Sequence, residues 1–156
     1  MKKLFGIFAV TAALFAFKSN SSTVAKHQPN DIIGTYLSQD KDSKVRVFLA
    51  MNDKYSGKVE WLKEPNDQYG KPKRDHKNPN PEKRNRARLG LVILKNFVYD
   101  PGDDRWEGGT VYDPKSGNTY SGYIYFDSED KKKLHLRGYV LGMPFLGRTA
   151  TWERLD

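Results

Sequence analysis

The chain has 156 residues, with 27 Lys and Arg against 19 Asp and Glu, 13% aromatic side chains and no cysteine. That composition excludes disulfide-stapled scaffolds, thiol catalysis and cysteine-ligated zinc. The length allows one ordinary domain with a single core.

Lys2 and Lys3 precede an apolar run, Leu4 to Phe17, and Thr23-Val24-Ala25 offers small and β-branched side chains where a signal peptidase reads. Residues 1–25 are therefore expected to be a secretory signal peptide cut after Ala25, with Ala16 or a site in 19–22 as alternatives. The run is shorter than the roughly 20 residues a bilayer-spanning helix needs, and no later stretch is long and apolar enough to span. The expected protein is exported, periplasmic or secreted. Residues 26–30 are expected to form a flexible mature N-terminus and 31–156 a single β domain.

Eight strands are expected. Residues 32–37 and 44–51 flank the turn Gln39-Asp40-Lys41-Asp42-Ser43, and Val45, Val47 and Leu49 alternate with Lys44, Arg46 and Phe48 as in a half-buried strand. Asn52-Asp53-Lys54 turns the chain into 55–62, where Val59 and Trp61 are read onto one face. Residues 63–88 then interrupt the rhythm with four prolines and little that is apolar. A connection of that length is usually functional or disordered. A short helix can begin behind Asn80, with Pro81 at its first position. Strands follow at 89–96, 105–112, 119–126, 133–140 and 148–154, separated by Pro-, Gly- and Asp-rich turns.

Short, regularly spaced strands with tight turns favour a sandwich or a barrel. Strand-interior glycines, among them Gly34, Gly57, Gly109, Gly122 and Gly138, supply the bends that closing a small barrel requires. The expected fold is all-β: an eight-stranded antiparallel up-and-down barrel with one long loop, 63–88, holding at most a short helix. Such a barrel is either filled by side chains or holds one small ligand.

Charge is concentrated in that loop. Residues 71–88 carry eight Lys and Arg against two Asp and Glu. The stretch has no aromatic residue to stack on bases, which speaks against nucleic acid. It suits an anionic envelope surface, a protein partner, or plain solvation.

Protease, nucleophile-elbow, phosphate-loop and dinucleotide motifs are missing. Asp100, Asp103 and Asp104 lack the ligand spacing of a calcium loop and read as turn chemistry, so no metal or cofactor is expected. Asp75 and Asn78 either cap a turn or offer polar groups to a ligand. Arg137 and Tyr139 share a face that is interior or exterior. Trp61, Trp106, Tyr112 and Tyr123 are candidate pocket aromatics, with core building as the alternative.

Two resemblances follow from ordered motifs. Gly34-Thr35-Tyr36 and Trp152-Glu153-Arg154 resemble the terminal signature of lipocalin-like barrels, in which an arginine of the last strand caps an aromatic of the first; Tyr36 stands where tryptophan is usual. Asp75-His76-Lys77-Asn78-Pro79-Asn80-Pro81, Arg88-Leu89-Gly90-Leu91-Val92-Ile93-Leu94 and Trp106-Glu107-Gly108-Gly109 are joined by Tyr112-Asp113-Pro114, Gly117 with Tyr120, Leu136-Arg137-Gly138-Tyr139, and Leu146-Gly147-Arg148-Thr149 with Trp152. Together they resemble a family of small exported bacterial proteins, the domain of unknown function numbered twenty-one forty-seven. Ala87 stands where that family's pattern suggests proline. The resemblance implies a signal-bearing protein with a lipocalin-like fold and implies no known activity.

The expected function is a non-enzymatic binder of a small apolar or anionic amphipathic molecule, using Trp61, Asp75, Asn78, Trp106, Tyr112, Tyr123, Arg137 and Tyr139. Gly34, Tyr36, Trp152 and Arg154 are expected at the barrel closure. The alternatives are an envelope protein-interaction module acting through 63–88, and a hydrolase using Asp75 and His76.

Overall fold

A computed structural model describes residues 26–127, 129–140 and 143–156. The expected signal peptide lies outside the described residues. Eight strands, β1 (Gly34–Leu37), β2 (Ser43–Leu49), β3 (Tyr55–Leu62), β4 (Val92–Asp100), β5 (Arg105–Asp113), β6 (Asn118–Phe126), β7 (Lys133–Val140) and β8 (Met143–Arg154), pair in sequence order, every neighbour antiparallel. Tyr36 pairs with Arg154 and Leu37 with Glu153, which closes the sheet into an up-and-down barrel.

This topology sorts the connections. The β1–β2, β3–β4, β5–β6 and β7–β8 links lie at one end, and the β2–β3, β4–β5 and β6–β7 turns lie at the other with both ends of the domain.

The first end is open and the second is stoppered. Trp106, Phe97, Tyr36, Ile32, Leu134 and Ile124 are fully buried there and fill the lower barrel. Trp106 meets Phe126 edge-to-face at 5.5 Å and Tyr99 at 4.9 Å, geometries that the ring quadrupoles favour. Gly109 is required by this packing: a Cβ there would lie 2.4 Å from the Phe97 ring.

Residues 26–30, read above as a flexible N-terminus, are placed against this end. A 3-10 turn, Pro29–Ile32, leads into β1. His27 is buried, with Nδ1 3.0 Å from Asp104 Oδ2 and its backbone N–H donating to Asp104 Oδ1 at 3.1 Å. The Tyr99 hydroxyl is 2.8 Å from Asp104 Oδ1 and 2.7 Å from the His27 carbonyl. Trp106 Nε1 donates to the Pro29 carbonyl at 2.9 Å. Burial alone would raise the Asp104 carboxyl, but bonds from Tyr99 and His27 outweigh it and hold the group below its usual range.

Arg154 fastens the seam. Its guanidinium lies 5.5 Å from the Tyr36 ring centroid and donates to the carbonyls of Asp31 and Ile33. Gly34 makes room for it, since a Cβ there would lie 2.8 Å from Arg154 Nη2. Tyr36 is fully buried and donates its hydroxyl to the Ile32 carbonyl at 2.9 Å.

Strand limits depart from simple alternation where bulges intervene. Between Lys44 and Val45 the register slips, so Val45 opposes Val59 while Lys44 opposes Trp61. An extra residue reverses facing: Val59 points inward, whereas Trp61 is exposed with Lys44 Nζ 5.1 Å over its ring. The strand expected at 89–96 runs instead from Val92 to Asp100. Gly90 has φ +82 and Leu89 is exposed, because the chain is still turning there.

Candidate ligand-binding site

Above the stopper the barrel is hollow. An open cavity of about 1290 Å³ enters through the wide end, its volume including the broad mouth. Small-molecule sites commonly occupy roughly 300–1,000 Å³. Val59, Leu62, Ile93, Val111, Leu136 and Trp152 form its apolar wall. Small inward-facing residues leave the space. Gly138 and Ala150 line it on β7 and β8, and a Cβ at Gly138 would only reach ordinary contact, 3.5 Å from Tyr120 Cβ.

The rim is ionic. Lys73 Nζ is 3.0 Å from Glu64, and Lys115 Nζ is 3.0 Å from Asp40 and 2.6 Å from Asp42. Burial works against the ionised Asp42, yet the bonds from Lys115 and Ser38 prevail and keep its carboxyl low. These acids are therefore committed to lysines. Arg88 and Arg148 also line the mouth, and neither has a carboxylate partner among the described residues. Arg88 donates Nε to the Arg74 carbonyl at 3.0 Å, which orients its guanidinium. Guanidinium groups at an apolar mouth suit a carboxylate or phosphate head.

The 63–88 connection is fastened beside this mouth. Isolated bridges join Asn66 to Pro72 and Arg74 to Ala87, so the exit at Ala87 is tied by backbone. Asn80 accepts from the Glu82 N–H at 3.0 Å and caps a single 3-10 turn, Pro81–Lys83. Asp75 is the anchor. It is 0% exposed, with Oδ1 2.5 Å from the Tyr112 hydroxyl and Oδ2 2.7 Å from Asn78 Nδ2. Burial pushes the Tyr112 hydroxyl up, and the bond to Asp75 adds to it, to about 12. Behind this anchor the loop lies so close to the β5–β6 turn that a Cβ on Gly117 would fall 2.0 Å from the Lys77 carbonyl oxygen.

Of the expected ligand residues, the structure brings together Asp75, Asn78 and Tyr112, as this anchor. Tyr112 and Tyr139 reach the cavity rim. Trp106 belongs to the stopper and Trp61 to the outer surface. Tyr123, Arg137 and Tyr139 lie on the outward-facing register of β6 and β7, alternating with buried Ile124 and Leu136. There Arg105 sits 4.8 Å over the Tyr123 ring, and Arg137 Nη1 is 3.3 Å from Thr149 Oγ1. The expected closure residues meet at the seam, except Trp152, which faces the cavity floor.

Sequence reasoning missed Arg88, Arg148 and the small inward residues Gly138 and Ala150. The alternation Leu134, Leu136, Gly138 carried the signal for the last two, because Gly138 opposes Arg148 and Leu136 opposes Ala150.

The acids near the β4–β5 turn make no open cation cage. Asp100, Asp103 and Glu107 can bring carboxylate oxygens within 4.8 Å of one another, but Arg105 Nη2 lies 2.6 Å from both Asp103 and Glu107.

A family model described as "Uncharacterized protein conserved in bacteria (DUF2147)" matches residues 34–154. The chain belongs to this family. The DUF2147 chain is similar to a solved structure described as "Protein HP1028 from the human pathogen Helicobacter pylori belongs to the lipocalin family". The two share 28% identity and a TM-score of 0.67, over 80% of this chain and 83% of that one. No curated protein matches it significantly. The lipocalin-like neighbour agrees with the closed eight-stranded barrel, and the family match takes in both seam strands and the Asp75 loop of this DUF2147 protein.

Proposed function

We propose that this protein is an exported, non-enzymatic carrier of an amphipathic molecule with an anionic head. The observation that carries the reading is the open cavity, whose apolar wall leads to a rim where Arg88 and Arg148 lack carboxylate partners among the described residues. An apolar tail would take the wall, and the head would replace water at the two guanidinium groups.

The hydrolase alternative finds little support. Asp75 is committed to Tyr112 and Asn78, and His76 is exposed. No histidine is among the residues lining the cavity, and the carboxylate beside hydroxyls there, Asp42 with Ser38 and Ser43, is held as an ion by Lys115, which leaves it a weak base. Exposed Lys71, Lys77, Lys83, Arg84 and Arg86 favour a second use for the loop, in contact with an anionic surface.

Native mass spectrometry of protein purified gently from its exported fraction tests the carrier reading. The expected result is an excess mass that disappears on denaturation and weakens when Arg88 and Arg148 are changed to Gln. A bare folded protein that takes up nothing from a lipid extract would overturn it.

A further inference from the structure

We propose that the open end of the barrel docks on an anionic phospholipid bilayer, with the β7–β8 hairpin inserting and the basic loop lying against the head groups. The observations come from two elements that meet at one mouth. Phe145 is 75% exposed and Leu146 56%, and Val140 and Met143 beside them are also exposed. Phe145, Leu146, Arg148, Lys73 and Arg88 all line the same opening, so the apolar hairpin and the basic loop face one way.

Charge is divided along the barrel axis. The β3–β4 connection, 63–91, carries nine Lys and Arg against four Asp and Glu. The three turns at the stoppered end, 50–54, 101–104 and 127–132, carry three against six. An anionic surface therefore attracts the mouth and repels the opposite end, which orients the molecule before contact. Once oriented, the hairpin reaches the acyl boundary, where its side chains leave water.

A spanning arrangement does not fit. Lys44, Arg46, Lys58, Lys95 and Lys133 interrupt the outer face, where a membrane-spanning barrel carries an apolar band. Projecting apolar residues flanked by long cations match a bilayer interface, with its phosphate layer over hydrocarbon. The docking does not depend on what the cavity holds; only its use in loading or unloading a ligand rests on the carrier reading.

Vesicle sedimentation tests the docking, using phosphatidylcholine alone and phosphatidylcholine with phosphatidylglycerol. The protein is expected to bind the second and not the first. F145S/L146S should weaken binding by at least about tenfold, and R84Q and R86Q by roughly fivefold each. Because the chain has no cysteine, Phe145→Cys and Met51→Cys each take one environment-sensitive nitrobenzoxadiazole label. Met51 is fully exposed at the stoppered end. The label at 145 should shift to the blue on anionic vesicles, and the label at 51 should not.

Failure to bind phosphatidylglycerol vesicles, equal label shifts, or full binding by F145S/L146S would overturn docking. Capture of a protein through Phe145 without vesicle binding would overturn it too. Uptake of N-phenyl-1-naphthylamine in vesicle-free solution reads the cavity separately. Uptake without vesicle binding sinks docking alone, and vesicle binding without uptake leaves docking standing while counting against the carrier.

Discussion

The two ends of this barrel are built from the same eight strands and solve opposite problems. At the stoppered end, large side chains and the segment before β1 fill the interior, and buried polar atoms are answered by designated partners: His27 by Asp104, Trp106 by the Pro29 carbonyl, Tyr36 by the Ile32 carbonyl. At the open end the inward positions shrink to Gly138, Ala150 and Val111, and charge collects on the rim. The comparison teaches that one closed sheet can be filled below and vacant above through the size of the side chains it turns inward. Stability should therefore reside in one half and binding in the other.

Substitutions can test that division. The largest effect is expected from Trp106→Ala, about 4 kcal/mol of lost unfolding free energy in urea titration, as for buried aromatics generally. Val111→Ala on the cavity wall should cost less than about 1 kcal/mol, because its space is already open to solvent. Equal losses would break the comparison.

Asp104→Asn comes next, at about 2 kcal/mol near neutrality. Its folded carboxyl lies below the ordinary value of 3.8, so this stabilisation is complete above that value and is lost as pH falls through the lower folded value. The difference between wild type and D104N should therefore shrink steadily below about pH 4. A difference that grows with acidity would show that the His27–Asp104 contact acts in some other way.

Asp75→Ala should cost about 1–2 kcal/mol, by leaving the Tyr112 and Asn78 donors without their acceptor. Its sharper signature is local: trypsin should cut within 71–88 far faster while the barrel survives. Smallest in stability is Gly138→Leu, expected within about 1 kcal/mol, since a Cβ fits there. It should nevertheless abolish uptake of an apolar dye, confining its effect to the vacant half.

How much of this was readable beforehand depended on the kind of signal. Strand order, Tyr55–Leu62, Lys133–Val140 and the pairing of Tyr36 with Arg154 follow from alternation, turn residues and a terminal motif, all of which are local. The inward or outward fate of Trp61 was not readable, because a register slip at Lys44/Val45 reverses facing without any glycine to announce it. Leu89 begins an apolar run expected as a strand, yet the left-handed Gly90 keeps it in a turn. Arg88 and Arg148 line one mouth from elements sixty residues apart, which only the closed sheet sets around the same opening. Asp75 could be picked out as a polar anchor, but its partner Tyr112 is a tertiary fact.

The Arg154 clasp also bears on how the chain reaches its folded state. Residues of the first strand wait through more than a hundred others for their partner, so a growing chain presents β1 as an unpaired edge until β8 arrives. Closure is the last of the eight pairings to become possible, and the arginine that completes it grips the Asp31 and Ile33 carbonyls. Loss of residues 154–156 would spare nearly all the hydrophobic side chains and still remove the catch that turns a curled sheet into a vessel.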